Sequence, residues 1–187
     1  MEPRAGGVPH VRGGGARLTI DRPYRVRPAA VADVAGLLAL LERVAAEGRW
    51  IATERVDPER HRARMLAALD DPHEAQFVAE AGGDLVGQLG MTVRAYGVAD
   101  LGMHVAPEWR RRGVGSALLG AGLDWAAGAG AHKAALQVWP HNEAAIALYR
   151  TFGFVEEGVL RRHYRRRSGE LWDAVVMGLH LPERPPA

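Results

Sequence analysis

The stretch EWRRRGVGSALL, residues 108–119, combines residue types that bind phosphate groups. Three consecutive arginines precede Gly113 and Gly115, and an apolar segment follows them. Glycines let the backbone approach a ligand closely, and the free N–H groups at a helix N-terminus favour an anion. Arginines add positive charge and forked donors. The stretch therefore indicates a pyrophosphate site without a metal, although a solvated arginine turn before an ordinary helix explains this segment alone equally well.

Other phosphate-binding and nucleophilic motifs do not fit this stretch. A dinucleotide-binding G-x-G-x-x-G motif needs a third glycine where Leu118 stands. The G-x-x-x-x-G-K-[ST] loop needs lysine and Ser or Thr where Ala121 and Gly122 stand. Ser116 does not lie in the G-x-S-x-G turn that exposes a serine nucleophile. The choice left by these residues is between a different phosphate site and a plain turn.

A second motif, NEAAIALYRTFGF at residues 142–154, decides between these two readings. It matches N-x-x-A-x-x-L-Y-x-x-x-G-F, while residues 105–118 match V-x-P-x-x-R-x-x-G-x-G-x-x-L. With both motifs correctly spaced, the chain resembles the GNAT family of N-acetyltransferases over about residues 20–181. The segment GELWDAVVMGL resembles the small amino-acid and amine branch of that family, which is phosphinothricin-acetyltransferase-like and L-amino-acid N-acyltransferase-like.

The resemblance implies a mixed α/β fold whose mostly antiparallel sheet has six to seven strands and about four helices. Its central parallel pair, which includes Met103–Val105, would splay apart to admit acetyl-CoA as co-substrate. The pyrophosphate would sit on backbone amides of Arg111–Ser116, and Asn142, which is also a good N-cap, would bind the pantetheine arm. The implied cofactor-binding residues are Met103, His104, Val105, Arg110, Arg111, Arg112, Gly113, Val114, Gly115, Ser116, Asn142 and Tyr149.

The resemblance also implies a direct transfer in which a neutral amine attacks the thioester carbonyl. A backbone N–H near Val105 would hold the carbonyl oxygen, and the phenol of Tyr149 would donate a proton to the departing thiolate. The alternative for Tyr149 is a core residue on a helix stripe. The base stays open between a water relay and four side chains, Glu54, Asp100, His104 and Asp173. Asp100 could instead only end its strand, and His104 could contact the cofactor mainly through its backbone.

Hydrophobic periodicity and turn residues predict the elements that position these groups, in the order β-α-α-β-β-β-α-β-α-β-β. Asp33 is a candidate cap for the first helix, and Gly82-Gly83 predicts a hairpin turn. Pro107 should stop the central strand. The predicted strands are 18–29, 76–81, 84–93, 98–105, 134–140, 154–166 and 170–181, and the predicted helices start at Asp33, Pro58, Gly113 and Asn142.

Length and composition predict a disordered tail at residues 1–16, one N-acetyltransferase domain at 17–181 and a loose C-terminus at 182–187. The chain has no cysteine, which excludes disulfides, thiolate nucleophiles and cysteine-based metal sites. The eight histidines lack metal-ligand spacing, so we expect no metal. A net charge of +2 is too small to indicate a nucleic-acid binder by itself. Without a signal or membrane span, we expect a cytoplasmic, bacterial protein.

The run RRHYRRR at residues 161–167 holds five arginines in seven positions. The leading interpretation is a solvated strand edge, because alternation divides the charges between two faces. Recognition of an acidic acceptor, contact with a dimer partner or acidic protein, and nucleic-acid binding are the alternatives. Among the five tryptophans, Trp50 and Trp172 are the candidates for walls of the acceptor pocket.

The leading functional hypothesis is an acetyl-CoA-dependent N-acetyltransferase that acts on the primary amine of a small molecule, such as an amino acid or an amine-bearing toxin or antibiotic. Acetylation of a protein N-terminus or lysine is the enzymatic alternative, and it needs an open groove between the loop around Glu54 and the final hairpin. A non-catalytic acyl-CoA-binding regulatory domain is the third hypothesis, and Asn142 and Tyr149 argue against it. The expected partners are coenzyme A and a small amine, with no membrane; a homodimer is compatible with the sequence.

Overall fold

The computed structural model describes residues 23–182, which follow the predicted order of strands and helices. The predicted tail at residues 1–16, the start of the predicted first strand and residues 183–187 lie outside the described residues. The strands are β1 (Arg25–Pro28), β2 (Glu74–Ala81), β3 (Asp84–Val93), β4 (Val98–Val105), β5 (Lys133–Val138), β6 (Val155–Arg165) and β7 (Leu171–His180). The helices are α1 (Val34–Ala45), α2 (Pro58–Asp70), α3 (Val114–Gly128) and α4 (Glu143–Thr151).

All seven strands form one sheet in the order β1-β2-β3-β4-β5-β7-β6. Every neighbouring pair is antiparallel except β4 and β5, which confirms the predicted fold. Side chains of β4 alternate between the two faces. Leu101, Met103 and Val105 pack in the main core with Leu118 of α3. Asp100, Gly102 and His104 line a small cavity beside α2.

Turn residues set several of these boundaries as the sequence predicts. Gly82 and Gly83 adopt positive φ angles of 59° and 94° between β2 and β3, a conformation that favours glycine. Pro107 follows the end of β4 and begins a short 3-10 turn. Asp33 stands at the N-cap position of α1 as predicted, but its side chain makes no cap hydrogen bond to that helix. A 3-10 turn precedes the helix, and the Asp33 carboxylate accepts from the Ala30 N–H at the start of that turn, at 2.7 Å.

Helix α3 approaches β3 so closely that its buried face needs glycine. A Cβ on Gly122 would lie 2.6 Å from Leu89 Cδ2 and 2.8 Å from Met91 Sδ. On the same helix, a Cβ on Gly120 would meet only Phe152 Cε1, at 4.0 Å. The close contact fixes the position of α3, and therefore of its N-terminus, against the sheet.

We expect the variants Gly122→Ala and Gly120→Ala to change stability in opposite directions. Gly120→Ala gains helix propensity and should raise the free energy of unfolding by up to about 1 kcal/mol. Gly122→Ala should lower it by about 1–2 kcal/mol, because overpacking outweighs that gain. Urea unfolding of both variants measures the difference, and an equal stabilisation by the two alanines would contradict the close approach of α3.

Candidate active site

A cleft opens where the parallel pairing of β4 and β5 stops. Only three residue pairs join these strands, and the last is Asp100 with Ala135. Beyond it, β4 stays paired with β3 as far as Val105, and β5 stays paired with β7 as far as Val138. The gap belongs to a cavity of about 970 Å³, into which both strand edges face.

A glycine-containing turn borders the cleft at the N-terminus of α3. Arg111 and Gly113 adopt positive φ angles of 61° and 80°, so the backbone curves before the helix begins. Curved backbone with exposed N–H groups at a helix N-terminus binds anions. A Cβ on Gly113 would lie 3.2 Å from Tyr24 Oη, and one on Gly115 would lie 3.1 Å from Leu148 Cδ2. Both positions are tight for a side chain, and the backbone N–H groups of this turn beside the cleft suit an anion such as a pyrophosphate.

Most of the predicted site residues line this cleft, and four do not. Val114 is buried in the core, and Arg112 stacks on Trp109 with 5.2 Å between Cζ and the ring centroid. Glu54 and Asp173 also lie outside the cleft lining. The predicted residues that do line it are Asp100, Met103, His104, Val105, Arg110, Arg111, Gly113, Gly115, Ser116, Asn142 and Tyr149.

Arg110 lines the cleft, but its donors are already engaged. Its Nε donates to the carbonyl oxygen of Val105 at 3.1 Å, and Nη1 donates to Glu47 Oε2 at 2.8 Å. The guanidinium holds the pKa of the Glu47 carboxyl below its usual value. Arg110 therefore joins the end of β4 to the α1–α2 connection, residues 46–57, and the backbone of the turn is the freer anion site.

Tyr149 and Asn142 reach the cleft from α4. Tyr149 is 6% exposed and packs against Phe154 with ring centroids 5.7 Å apart. Burial raises the pKa of its phenol to about 12, so the hydroxyl stays protonated at neutral pH. Asn142 caps α4 by accepting from the Ala145 N–H at 3.3 Å, and it lines the cleft as well.

Three aromatic side chains form what we call the aromatic wall of the cleft: Trp50, Trp139 and Tyr164. Trp139 meets Tyr164 edge to face with ring centroids 4.8 Å apart. Trp172 packs behind the wall, 5.4 Å from Trp139, and does not line the cleft itself. Of the two predicted pocket residues, Trp50 therefore lines the cleft, whereas Trp172 packs behind Trp139.

Residues 40–154 match the model of the acetyltransferase (GNAT) family. The chain belongs to the GNAT family. This membership supports an acyltransferase of the N-acetyltransferase type. The fold, the parallel pair and the two sequence motifs agree with this membership.

Individual relatives differ in their acceptors. The chain is 39% identical over 103 residues to the N-alpha-acetyltransferase RimI of Mycobacterium tuberculosis, covering 52% of this chain and 62% of that protein. It is 36% identical over 116 residues to the L-amino acid N-acetyltransferase AaaT of Escherichia coli, covering 58% and 69%. The Salmonella typhimurium putative acetyltransferase yncA, solved with its cofactor acetyl-CoA, superposes with a TM-score of 0.77 at 22% identity over 88% of this chain and 98% of that one. The alignment with RimI spans about three-fifths of the length of that protein.

Two of the base candidates line the cleft of this GNAT protein. His104 Nε2 is shielded from solvent and has no hydrogen-bond partner among the described residues. Burial, and then the positive charge of Arg110, lowers the pKa of His104 to about 4, so its imidazole is neutral at pH 7. Asp100 accepts from Arg94 Nε at 2.7 Å. It lies inside β4 and ends the parallel pairing, not the strand.

The other two base candidates, Asp173 and Glu54, are held outside the cleft by contacts with the final hairpin, formed by β6 and β7. Asp173 Oδ1 accepts from the backbone N–H of Arg162 at 2.6 Å. Glu54 Oε2 accepts from the backbone N–H of Arg167 at 2.9 Å. The sequence does not reveal these contacts, because each joins residues that are distant along the chain or displaced by an irregular strand.

Gln137 is a cleft residue that sequence reasoning missed. It lies on β5 beyond the last pair with β4, and its Oε1 accepts from the hydroxyl of Tyr164 at 2.8 Å. Both side chains line the cleft. The available signal was a single polar side chain in the otherwise apolar strand AALQV.

A second cavity of about 360 Å³ adjoins the cleft on the α2 face of the sheet. Asp100, Leu101, Gly102 and His104 line both cavities. A Cβ on Gly102 would meet nothing within 4 Å, so this residue borders open space. Polar side chains of the sheet that line the second cavity are Glu74, Gln76, Gln88 and Thr92.

The described residues include neither a candidate metal-binding group nor a candidate membrane-spanning helix. Between residues 23 and 182, no three histidine, aspartate or glutamate side chains gather in a group that could hold a metal ion. None of the helices over the same range combines the length and apolarity of a membrane span.

The neutral state of buried His104 predicts a specific acid sensitivity. In the unfolded chain, His104 binds a proton below a pKa near 6.5. In the folded protein, it binds that proton only below about pH 4. Stability is therefore lost as the pH falls through this window, by about 2 kcal/mol at about pH 5. The variant His104→Gln should lose correspondingly less between pH 7 and pH 5, as measured by urea unfolding. Equal losses in the two proteins would mean that folded His104 accepts the proton.

Proposed function

We propose that this GNAT enzyme acetylates the primary amine of a small molecule, such as an amino acid or an amine-bearing toxin or antibiotic. One observation carries the choice of a small acceptor. Glu54 accepts from the Arg167 N–H at 2.9 Å and lies 3.4 Å from Arg166 Nε, so the α1–α2 connection touches the final hairpin. A protein N-terminus or lysine needs an open groove at this place, and the contact supports a closed pocket.

The residues of the cleft suit each requirement of the transfer. Bound acetyl-CoA supplies a thioester carbonyl that an amine nitrogen attacks, and coenzyme A leaves as a thiolate. The unpaired edge of β4, Leu101–Val105, offers backbone groups to the pantetheine arm and an N–H to the carbonyl oxygen. The turn at Arg111–Ser116 offers backbone N–H groups to the pyrophosphate. Tyr149, protonated and buried at the cleft, donates the proton that neutralises the departing sulfur.

The proton of the incoming ammonium leaves through water. A histidine with a pKa near 4 is a weak base at pH 7, so His104 is a poor acceptor of that proton by itself. The carboxylates of Glu54 and Asp173 are engaged outside the cleft. Asp100, Gly102 and His104 line both the cleft and the second cavity, and this arrangement supports the water-relay alternative.

Acetylation of a protein N-terminus is the second candidate, and similarity to RimI supports it. That relative is an N-alpha-acetyltransferase and is 39% identical over the aligned residues. AaaT, an L-amino acid N-acetyltransferase of similar identity, supports the small acceptor instead. A cytoplasmic location, a bacterial source and a homodimer stay predictions.

The direct test is a turnover screen with thiol release as the readout. The purified chain is supplied with acetyl-CoA and with amino acids, polyamines, aminoglycosides or short peptides that carry free N-termini. We expect release with at least one small amine and with peptides only weakly. Release confined to peptides would favour the protein acceptor, and no release with any amine, together with measurable acetyl-CoA binding, would favour a binding domain.

The variant Tyr149→Phe tests the proposed acid. Loss of the phenol should lower kcat by about 100-fold, because proton donation in the transition state is worth about that much or more. Acetyl-CoA affinity by calorimetry should change by less than about twofold, because the ring remains in place. Tyr96→Phe is the matched control, since Tyr96 is 71% exposed and outside the cleft. An unchanged kcat with chemistry rate-limiting would remove Tyr149 from this role.

A further inference from the structure

One arginine of the run at residues 161–167 is not solvated. Arg166 is 4% exposed and is the single buried charged residue among residues 23–182. The other four arginines of the run are exposed. Burying a charge is costly unless it is paired and hydrogen-bonded, so the contacts of Arg166 must compensate for its desolvation.

The contacts of the Arg166 side chain cross from the final hairpin to the α1–α2 connection. Its guanidinium donates to the carbonyl oxygens of Gly48 at 3.1 Å, Ile51 at 3.3 Å and Ala52 at 3.4 Å. Its Nε lies 3.4 Å from Glu54 Oε1, an ion pair without hydrogen-bond geometry. The other carboxylate oxygen of Glu54 binds the next backbone N–H of the hairpin, at Arg167.

The guanidinium also stacks against the residues that form and support the aromatic wall. Its Cζ lies 4.4 Å from the ring centroid of Trp172 and 5.5 Å from that of Trp139. Guanidinium groups at these distances from an indole face are attracted to its π-electrons, more strongly when desolvated. Arg166 is therefore held between the aromatic rings on one side and three backbone carbonyls on the other.

The α1–α2 connection has no helix or strand of its own, so contacts with neighbouring elements hold it in place. Trp50, Ile51 and Ala52, three consecutive residues of this connection, line the cleft. Arg166 binds the backbone carbonyls of two of these three residues. Its guanidinium is thus placed to fix the position of the cleft wall without entering the cleft.

We propose that Arg166 and Glu54 form a latch that fixes the acceptor specificity of the enzyme. The latch holds residues 50–52 against the cleft, where they fit a small amine and exclude the extended chain of a peptide. Glu54 is then a positioning residue and not the base. The proposal rests on the proposed function, because it assumes that a small amine occupies this part of the cleft.

Kinetics of latch variants test the specificity. The variants are Arg166→Ala, Arg166→Lys and Glu54→Gln, and the control is Arg165→Ala, an exposed arginine of the same run. Loss of the latch should lower kcat/KM for the best small amine by about tenfold to 100-fold, mainly through KM, because the wall is misplaced. Activity on a short peptide should hold or rise, so the ratio of the two kcat/KM values falls by at least about tenfold. The affinity for acetyl-CoA and all values for the control should stay within about twofold.

Lysine separates charge from geometry at position 166. An ammonium keeps the charge but lacks the planar fork that reaches several carbonyls at once. Arg166→Lys should therefore resemble Arg166→Ala in acceptor specificity. If Arg166→Ala fails to fold, Glu54→Gln and Arg166→Lys, judged by melting temperature, carry the same test.

Hydrogen exchange tests the latch without turnover. In Arg166→Ala, amides of residues 46–57 should exchange at least about tenfold faster than in Arg165→Ala, and the sheet should be unchanged. If the wild-type chain acetylates no small amine, the proposed function fails, and exchange still reports whether the latch holds this segment.

Two results would overturn the latch. One is an unchanged ratio of small-amine to peptide activity in folded Arg166 variants, with unchanged exchange over residues 46–57. The other is a Glu54→Gln variant that loses the acidic limb of the pH–kcat profile while its acceptor KM stays constant, because that split identifies Glu54 as the base.

Discussion

The parallel ladder between β4 and β5 ends at Asp100 and Ala135, and beyond this pair the strands are held only by their antiparallel neighbours. A buried backbone N–H or C=O without a partner costs free energy comparable to a lost hydrogen bond. The row of groups from Leu101 to Val105 therefore has to face a cavity where water or a ligand can satisfy it. Every other part of the site is arranged around this row, and a pantetheine arm with its amides suits it.

Two kinds of attachment hold the walls around that row. Helix α3 is fixed by close packing, since Gly122 lets its backbone approach the side chains of Leu89 and Met91. The α1–α2 connection packs through Ile51 beside Leu40 and Val44, and arginines bind it at two further places. Arg110 binds Glu47 near one end, and Arg166 binds Glu54 near the other. The turn before α3 is thus built into the core, whereas the cleft wall formed by the α1–α2 connection depends also on polar contacts that substitution can change.

The sequence predicts the elements well where a turn residue fixes a boundary, as at Gly82-Gly83 and Pro107. It predicts the glycine turn and Tyr149 through the spacing of two local motifs. It does not predict which arginine of residues 161–167 is buried. Strand β6 is irregular between Leu160 and Tyr164, and Arg162 has a positive φ of 51°, so simple alternation no longer assigns the faces. Contacts between residues more than 100 positions apart leave no local pattern.

The same arginine pairs bear on where the amine proton goes. Asp100, Glu47 and Glu54 are the carboxylates bound to an arginine in or beside the cleft, and protonating any of them would break an ion pair. The neutral imidazole of His104 has no arginine contact among the hydrogen bonds and ion pairs of the described chain, but burial disfavours its charged form. In the proposed transfer, the amine proton would therefore pass to water and not stay on His104. Gly102 lines both cavities and borders open space, which leaves room for that water.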